Sequence, residues 1–320
     1  MSNDAVPKRH ATQKDTMQSD RLKKTALRYF LEVSRCGSIA LAADRLHVAS
    51  SAISRQIKGL EEALDVKLFE RRPTGMVLSA AGELLVVHAR NVSLDADRVM
   101  ADILALEGLQ RGHVRIACTE GFALDLLPEL LAEFNQKHPR IHFDLAVAAP
   151  AEVADRVRNG EADIGLTFSR LAQEDIKVEL RRASPIVMVA RPDHPLAERK
   201  KIALAELASY PLALPASETS LRQIFDLACS LQGLIVTPLL SSDNARALHR
   251  FVLSSGVASI ASRVSVRDYV NRKLMVVVPV VDRRLGDRGI ELQTLRGRTL
   301  PRVVQAFLEF IKQRLADTEF

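Results

Sequence analysis

Apolar positions recur at helical spacing through the first third of the chain and then give way to short strand-like runs. Leu27, Phe30, Leu31 and Ser34 fall on one face of a first helix, which Gly37 stops as a C-terminal glycine does. Ser38 is placed to cap a second helix, where Ile39, Ala42, Ala43 and Leu46 form a stripe whose alanines allow another helix to cross closely. Ser50 or Ser51 can cap a third, buried along Ile53, Ile57, Leu60 and Leu64 at spacings of four, three and four. The brief His47-Val48-Ala49 turn between the last two predicts a helix-turn-helix. Residues 67–78 then place Pro73-Thr74-Gly75 between apolar flanks, the pattern of a small hairpin or wing.

Between Gly82 and Gly108 there is no Pro and no Gly, so one long helix is expected over 80–110. Leu85, Ala89, Val92, Ala96, Val99, Ile103 and Leu106 alternate steps of four and three, the seam of a coiled coil. The same spacing also suits a helix packed on its own domain; beside a DNA-reading head it favours dimerisation, which doubles the contacts to a symmetric site.

From Gly112 strands alternate with helices: strands at 114–118, 141–147 and 162–168 enclose helices at 122–137 and 151–159, a β-α-β-α-β unit with a parallel sheet. A second series has strands at 186–190, 212–214, 235–240 and 257–261 with helices at 220–231 and 244–253. Strands at 274–281 and 290–295 and a last helix at 300–315 follow. The order predicts two α/β lobes with a cleft between them. Lobe I is expected over 112–169 and 275–320, lobe II over 178–273, and the connections near 168–185 and 272–278.

Composition narrows the function. The chain has 320 residues, 47% of them apolar, and its longest apolar run, Leu274 to Val281, contains Pro279 and is far short of a membrane span. Residues 1–20 are polar and carry both signs of charge, which predicts a disordered tail, no secretory segment and a cytoplasmic protein. Three widely spaced cysteines, Cys36, Cys118 and Cys229, argue against a disulfide framework or a thiolate zinc site. Residues 1–79 hold 14 Lys and Arg against 9 Asp and Glu, while the remainder holds 31 against 30. A basic head on a nearly neutral body fits duplex DNA, and the lack of Trp disfavours a single-strand stacking platform.

The residues then match a family. Ala42-Ala43-Asp44-Arg45-Leu46-His47-Val48, Ser51-Ala52-Ile53-Ser54-Arg55-Gln56-Ile57, Leu60-Glu61, Leu64, Leu68-Phe69-Glu70-Arg71 and Ala81-Gly82 closely resemble the N-terminal signature of LysR-type transcriptional regulators. The resemblance implies a winged helix-turn-helix domain over 21–79, a linker helix over 80–110 and, over 111–320, an α/β effector domain of two Rossmann-like lobes similar to periplasmic binding proteins. It also implies a homodimer through the linker helix, further association to a homotetramer, a small-molecule effector and RNA polymerase as a partner. Many members carry Gln-Pro where this chain has Ser50-Ser51, and a basic residue where it has Thr74, so operator preference is expected to differ. The N-terminal extension is also unusual.

Residue chemistry fills in the contacts. Ser50, Ser51 and Ser54 at the start of the third helix can donate to phosphate or base edges, and the helix N-terminus favours an anion. Arg55 and Gln56, opposite the Ile53 and Ile57 stripe, can read guanine and adenine, and Lys58 is expected on the backbone. Arg71 and Arg72 on the wing can enter a narrow minor groove; the plain alternative for each is a solvated surface charge. Strand ends select the effector cleft: Thr119-Glu120-Gly121-Phe122, Thr167-Phe168-Ser169, and Pro215 with Ser217 in the second lobe. Backbone amides at Gly121 and Phe122 could hold a carboxylate, but Glu120 would compete with it. A neutral, zwitterionic or cationic effector therefore stays open, as does a Glu120 that only complements its own helix.

No HExxH, GxSxG, Walker or dinucleotide loop occurs, and Pro139 breaks the helix that would align His138 with His142, so neither an enzyme, a cofactor nor a metal is expected. The competing reading is a two-lobed solute-binding protein without a regulatory role. The basic head and the lack of a signal peptide weigh against it.

Overall fold

The computed structural model describes residues 24–73, 75–104, 112–169, 173–286 and 288–317. The N-terminal tail, Thr74 and Leu106 lie outside them. The chain divides within its longest helix into two compact units, residues 1–97 and 98–320.

In the first unit, α1 (Lys24–Cys36), α2 (Ile39–Leu46) and α3 (Ser50–Leu64) pack around fully buried Phe30, Ile53 and Leu60. The antiparallel strands β1 (Phe69–Arg72) and β2 (Gly75–Leu78) make the wing. Phe69 tilts onto Phe30 with ring centroids 5.2 Å apart, which fixes the hairpin to the helical core. Met76 N donates to Gly37 O at 2.8 Å. Gly75 has φ +121°, and a Cβ there would sit 2.6 Å from that same Gly37 oxygen, so only glycine closes the wing onto α1. Gly37 itself has φ +62° and donates to Val33 O, ending α1 as expected, and the Ser38 side chain accepts from Leu41 N. The third helix departs from expectation. Its cap is Ala49, because left-handed His47 (φ +52°) turns the chain early enough for Ser50 to be helical already.

Helix α4 (Ala80–Leu104) leaves this unit. The first half of its seam is used at home: Ala89 is buried in the helix-turn-helix core and Leu85 packs against it. The second half, Val92, Val99 and Ile103, is exposed.

The second unit contains two mixed sheets, and the β-α-β-α-β unit expected from residue 114 to 168 is the parallel part of the first. In the first sheet, β3 (Gly112–Cys118), β4 (Ile141–Val147) and β5 (Ile164–Ser169) are parallel, in the order β4-β3-β5. The expected helix over 122–137 is broken into α5 (Glu120–Ala123) and α6 (Leu126–Lys137) at Asp125, whose φ of −138° leaves the helical range. Helix α7 (Pro150–Arg158) covers the sheet through Val153 and Val157. A strand the sequence pattern did not reveal, β6 (Ile176–Ala183), forms the edge.

The second sheet is built from β7 (Ile186–Ala190), β8 (Ile202–Ala203), β9 (Leu212–Pro215), β10 (Leu240–Ser242), β11 (Ala258–Ser262) and β12 (Val276–Val281), in the order β10-β9-β11-β7-β12-β8. Helices α8 (Leu204–Ala208), α9 (Ser220–Leu231), α10 (Ala245–Ser255), α11 (Arg267–Asn271) and α12 (Arg283–Gly286) belong to it. The expected strand over 235–240 shrinks to β10, since Ile235 is almost fully exposed and has no sheet to enter. The chain returns with β13 (Gly289–Leu295), antiparallel between β5 and β6, and ends in α13 (Arg302–Asp317), whose Phe307 and Ile311 are fully buried.

These pairings correct the lobe boundaries. Residues 176–183 belong to the first lobe through seven register partners on β13, and 276–281 belong to the second through β7 and β8. The crossings therefore fall at Ser184-Pro185 and between α12 and β13. Ser184 N donates to Arg288 O at 2.8 Å, tying the two crossings together.

Candidate DNA interface and effector cleft

On α3 the buried stripe of Ile53, Ile57 and Leu60 leaves Ser50, Ser51, Ser54, Arg55, Gln56 and Lys58 on the exposed side. Ala49 supplies no side-chain acceptor to the first turn; the Ala52 amide donates to Ala49 O at 2.9 Å, and the amides of Ser50 and Ser51 are the ones available to a phosphate. Lys58 lies 3.7 Å from Glu62 and Arg72 2.9 Å from Glu70, both exposed pairs that cost little to open. Arg55 and Arg71 are exposed and have no ion-pair partner among the described residues.

In the second unit a cavity of about 520 Å³ lies where the carboxyl ends of β3, β4 and β5 face those of β9, β10 and β11. That size suits a small molecule. Thr119, Glu120, Gly121, Phe168 and Pro215 line it as expected. Three expected residues do not. Phe122 is fully buried and stacks on Phe168 at 4.6 Å, and Thr167 turns into the sheet opposite Glu291. Ser217 is exposed and donates to Glu218 at 3.0 Å, because the turn after β9 swings it outward. The side chain of Ser169 lies outside the described residues.

Glu120 is the acid in the first turn of α5, as one expectation had it, but its reach goes beyond that helix. Its carboxylate crosses the cleft and accepts from Ala245 N, with both oxygens at 3.1 Å, capping α10 of the opposite lobe. Thr119 is 8% exposed, and its Oγ1 is buried with no hydrogen-bond partner among the described residues.

Sequence reasoning missed Arg288. It is 5% exposed, its Nε and Nη1 find no acceptor among the described residues, and its guanidinium lies 3.5 Å from the centre of the Phe168 ring. Burial pulls its pKa down to about 9. A lone arginine just before Gly289 carries no periodic signal; only the closed fold reveals that its charge is enclosed.

The remaining candidates fall away. Among the described residues no group of three or more His, Cys, Asp and Glu could hold a metal, and His138 stacks on Phe134 at the end of α6. Burial pushes the Cys118 thiol up to about 12 and that of Cys229 to about 11, which makes both poor nucleophiles. Among the described residues no helix is long and apolar enough to cross a membrane.

A winged helix-turn-helix on a long helix, followed by two mixed-sheet lobes enclosing a cleft, defines a ligand-responsive DNA-binding regulator. Residues 25–83 match the family described as "Bacterial regulatory helix-turn-helix protein, lysR family", and residues 107–316 match the "LysR substrate binding domain". The chain belongs to the LysR family of transcriptional regulators. Among its relatives, the SDS degradation transcriptional activation protein of Pseudomonas sp. (strain ATCC 19151) is 29% identical over 91% of this chain and 96% of its own. The RuBisCO operon transcriptional regulator of Allochromatium vinosum is 28% identical over 91% and 95%. In fold the chain is similar to a full-length OxyR variant from Pseudomonas aeruginosa, with a TM-score of 0.68 at 20% identity, covering 91% of this chain and 95% of that one. It is also similar to CbnR complexed with its target DNA, with a TM-score of 0.52 at 23% identity, covering 91% and 99%. Relatives named as transcriptional regulators leave the solute-binding alternative without support.

Proposed function

We propose that residues 21–79 read duplex DNA through α3 and the wing, that the helix over 80–110 pairs two chains, and that the lobed domain takes a small effector in its cleft. The pairing extends to a homotetramer, and RNA polymerase is the partner at the promoter. The protein acts in the cytoplasm, where DNA and polymerase are, and carries no catalytic activity. The observation that carries this reading is the unpaired, exposed Arg55 on a helix whose opposite face is fully committed to the core. Replacing Arg55 by Ala should cost about 1–3 kcal/mol at the operator if it reads a base, and less selectively if it meets phosphate. Operator and random-duplex titrations check this, and unchanged affinity for both removes the assignment.

The cleft joins the effector to the DNA. A molecule touching Thr119 in one lobe and Pro215 in the other favours one closure of the lobes, and linkage then requires operator DNA to change effector affinity by the same factor. Thr119→Val keeps the volume and removes a hydroxyl that has no hydrogen-bond partner among the described residues. It should weaken the effector response by about 1 kcal/mol while leaving the free protein no less stable. Thermal protection by small metabolites, compared in native and variant chains, reads both. A destabilised variant with an unchanged effector response places the hydroxyl in the fold rather than the site.

A further inference from the structure

Arg288 raises a question that the fold alone does not answer. A buried guanidinium with unused donors is costly unless an anion meets it. It sits on a crossing between the lobes, and its backbone oxygen is held by Ser184 of the other crossing, so a molecule on Arg288 touches one connection directly and is one hydrogen bond from the other. Helices α7, α9 and α10 all begin at the cavity wall, at Ala149, Ser220 and Ala245. Their positive ends add to the Arg288 field. One of these positions is taken: Glu120 holds the Ala245 amide. The α7 end opens with Pro150, which has no N–H to offer. The other acids at the cavity, Glu218 and Asp243, are exposed at its rim, and Glu218 is occupied by the Ser217 hydroxyl. The wall between rim and floor is apolar, with Val147, Phe168, Leu221 and Leu248.

Building on the cleft reading above, we propose that the effector is a compact apolar molecule with a single acid group, that this group seats on Arg288, and that Glu120 excludes a second one from the α10 terminus. The charge pattern sets the orientation: acid group at the floor, apolar body along Phe168 and Leu221. A diacid would bring its second carboxylate against Glu120.

The experiment uses the full-length chain and follows thermal unfolding with benzoate and hexanoate, their neutral amides benzamide and hexanamide, and the dianion phthalate. The two monoacids are expected to raise the melting temperature, the amides to leave it unchanged, and phthalate to protect less than benzoate. Arg288→Gln should weaken monoacid binding about tenfold or more, the loss of a charge-assisted hydrogen bond. Arg288→Lys should recover part of it, and Glu120→Gln should let phthalate protect. Near-UV circular dichroism checks each fold; if Arg288→Gln does not fold, the acid and amide pairs on the native chain and the Arg288→Lys variant decide. No protection by either monoacid, or an Arg288→Gln response equal to the native one, overturns the proposal. Equal protection by acids and amides that disappears in Gly121→Leu, which sets a bulky side chain on the cavity wall against Ser265 and Phe168, keeps the cleft and removes the acid group. Protection that survives Gly121→Leu places binding elsewhere and removes both.

Discussion

Replacing Asp163 by alanine should destabilise the effector domain by about 3–5 kcal/mol, the loss expected when one partner of a buried ion pair is removed. Asp163, 3% exposed at the foot of β5, accepts from Arg115 N at 2.9 Å, from Arg115 Nη2 at 2.7 Å and from Arg298 Nη2 at 2.7 Å. Arg298 is itself 4% exposed, and its Nε and Nη1 have no partner among the described residues, so without the carboxylate its charge is enclosed and uncompensated. Burial alone would raise the Asp163 pKa; the hydrogen bonds from Arg115 and the charges of Arg115 and Arg298 outweigh burial and hold it below the usual carboxylate range. A depressed carboxylate contributes stability that is present above its unfolded pKa of about 3.9 and lost as pH falls through the lower folded value. Urea unfolding of the native chain and Asp163→Ala should therefore differ most near neutral pH, with the gap closing below about pH 4. Asp163→Asn, which keeps an acceptor, should lose less. A gap under about 1 kcal/mol at neutral pH would show that water reaches Arg298 and replaces the carboxylate.

The DNA-reading unit was legible because its signals are local. Gly37 and the Ile53, Ile57 and Leu60 stripe each act within one or two turns, and the structure puts them where the spacing did. The sheets were less legible, since which strand lies beside which is decided by distant partners. Strand β6 carries Lys177, Glu179, Arg181 and Arg182 along an edge that is mostly exposed, so it presents no apolar run to find. The Val276–Val281 run was visible as a strand, but nothing in it distinguishes pairing with β7 from pairing with β5. At the cleft, strand ends located Thr119, Gly121 and Phe168. Parity failed at Thr167 because β5 is buried on both faces, where alternation carries no information. Cross-lobe contacts such as Glu120 to Ala245, and an enclosed charge such as Arg288, exist only after closure of the fold.

The linker helix brings the largest expected change in assembly: Val92→Asp with Val99→Asp should break the proposed pairing of two chains along it and halve the mass of the assembly. Positions 92, 96, 99 and 103 continue the four-and-three spacing, and Val92, Val99 and Ile103 stand 40%, 45% and 55% exposed in the single chain. Ala89 and Leu85 are already committed to the helix-turn-helix core, so the free half of the seam is the part left to a second copy. In a symmetric pair each substitution occurs twice. Four carboxylates at about 1–3 kcal/mol each weaken association by roughly a thousandfold even at the lower end. The heads then lose their fixed spacing, and operator affinity should fall with the mass, since each half-site is held alone. Val87→Asp is the control, because Val87 is 52% exposed but about 140° around the helix from Val92. Sedimentation of the three proteins decides: halved mass for the double variant alone supports the seam, whereas an unchanged mass means that the effector domains hold the assembly without it.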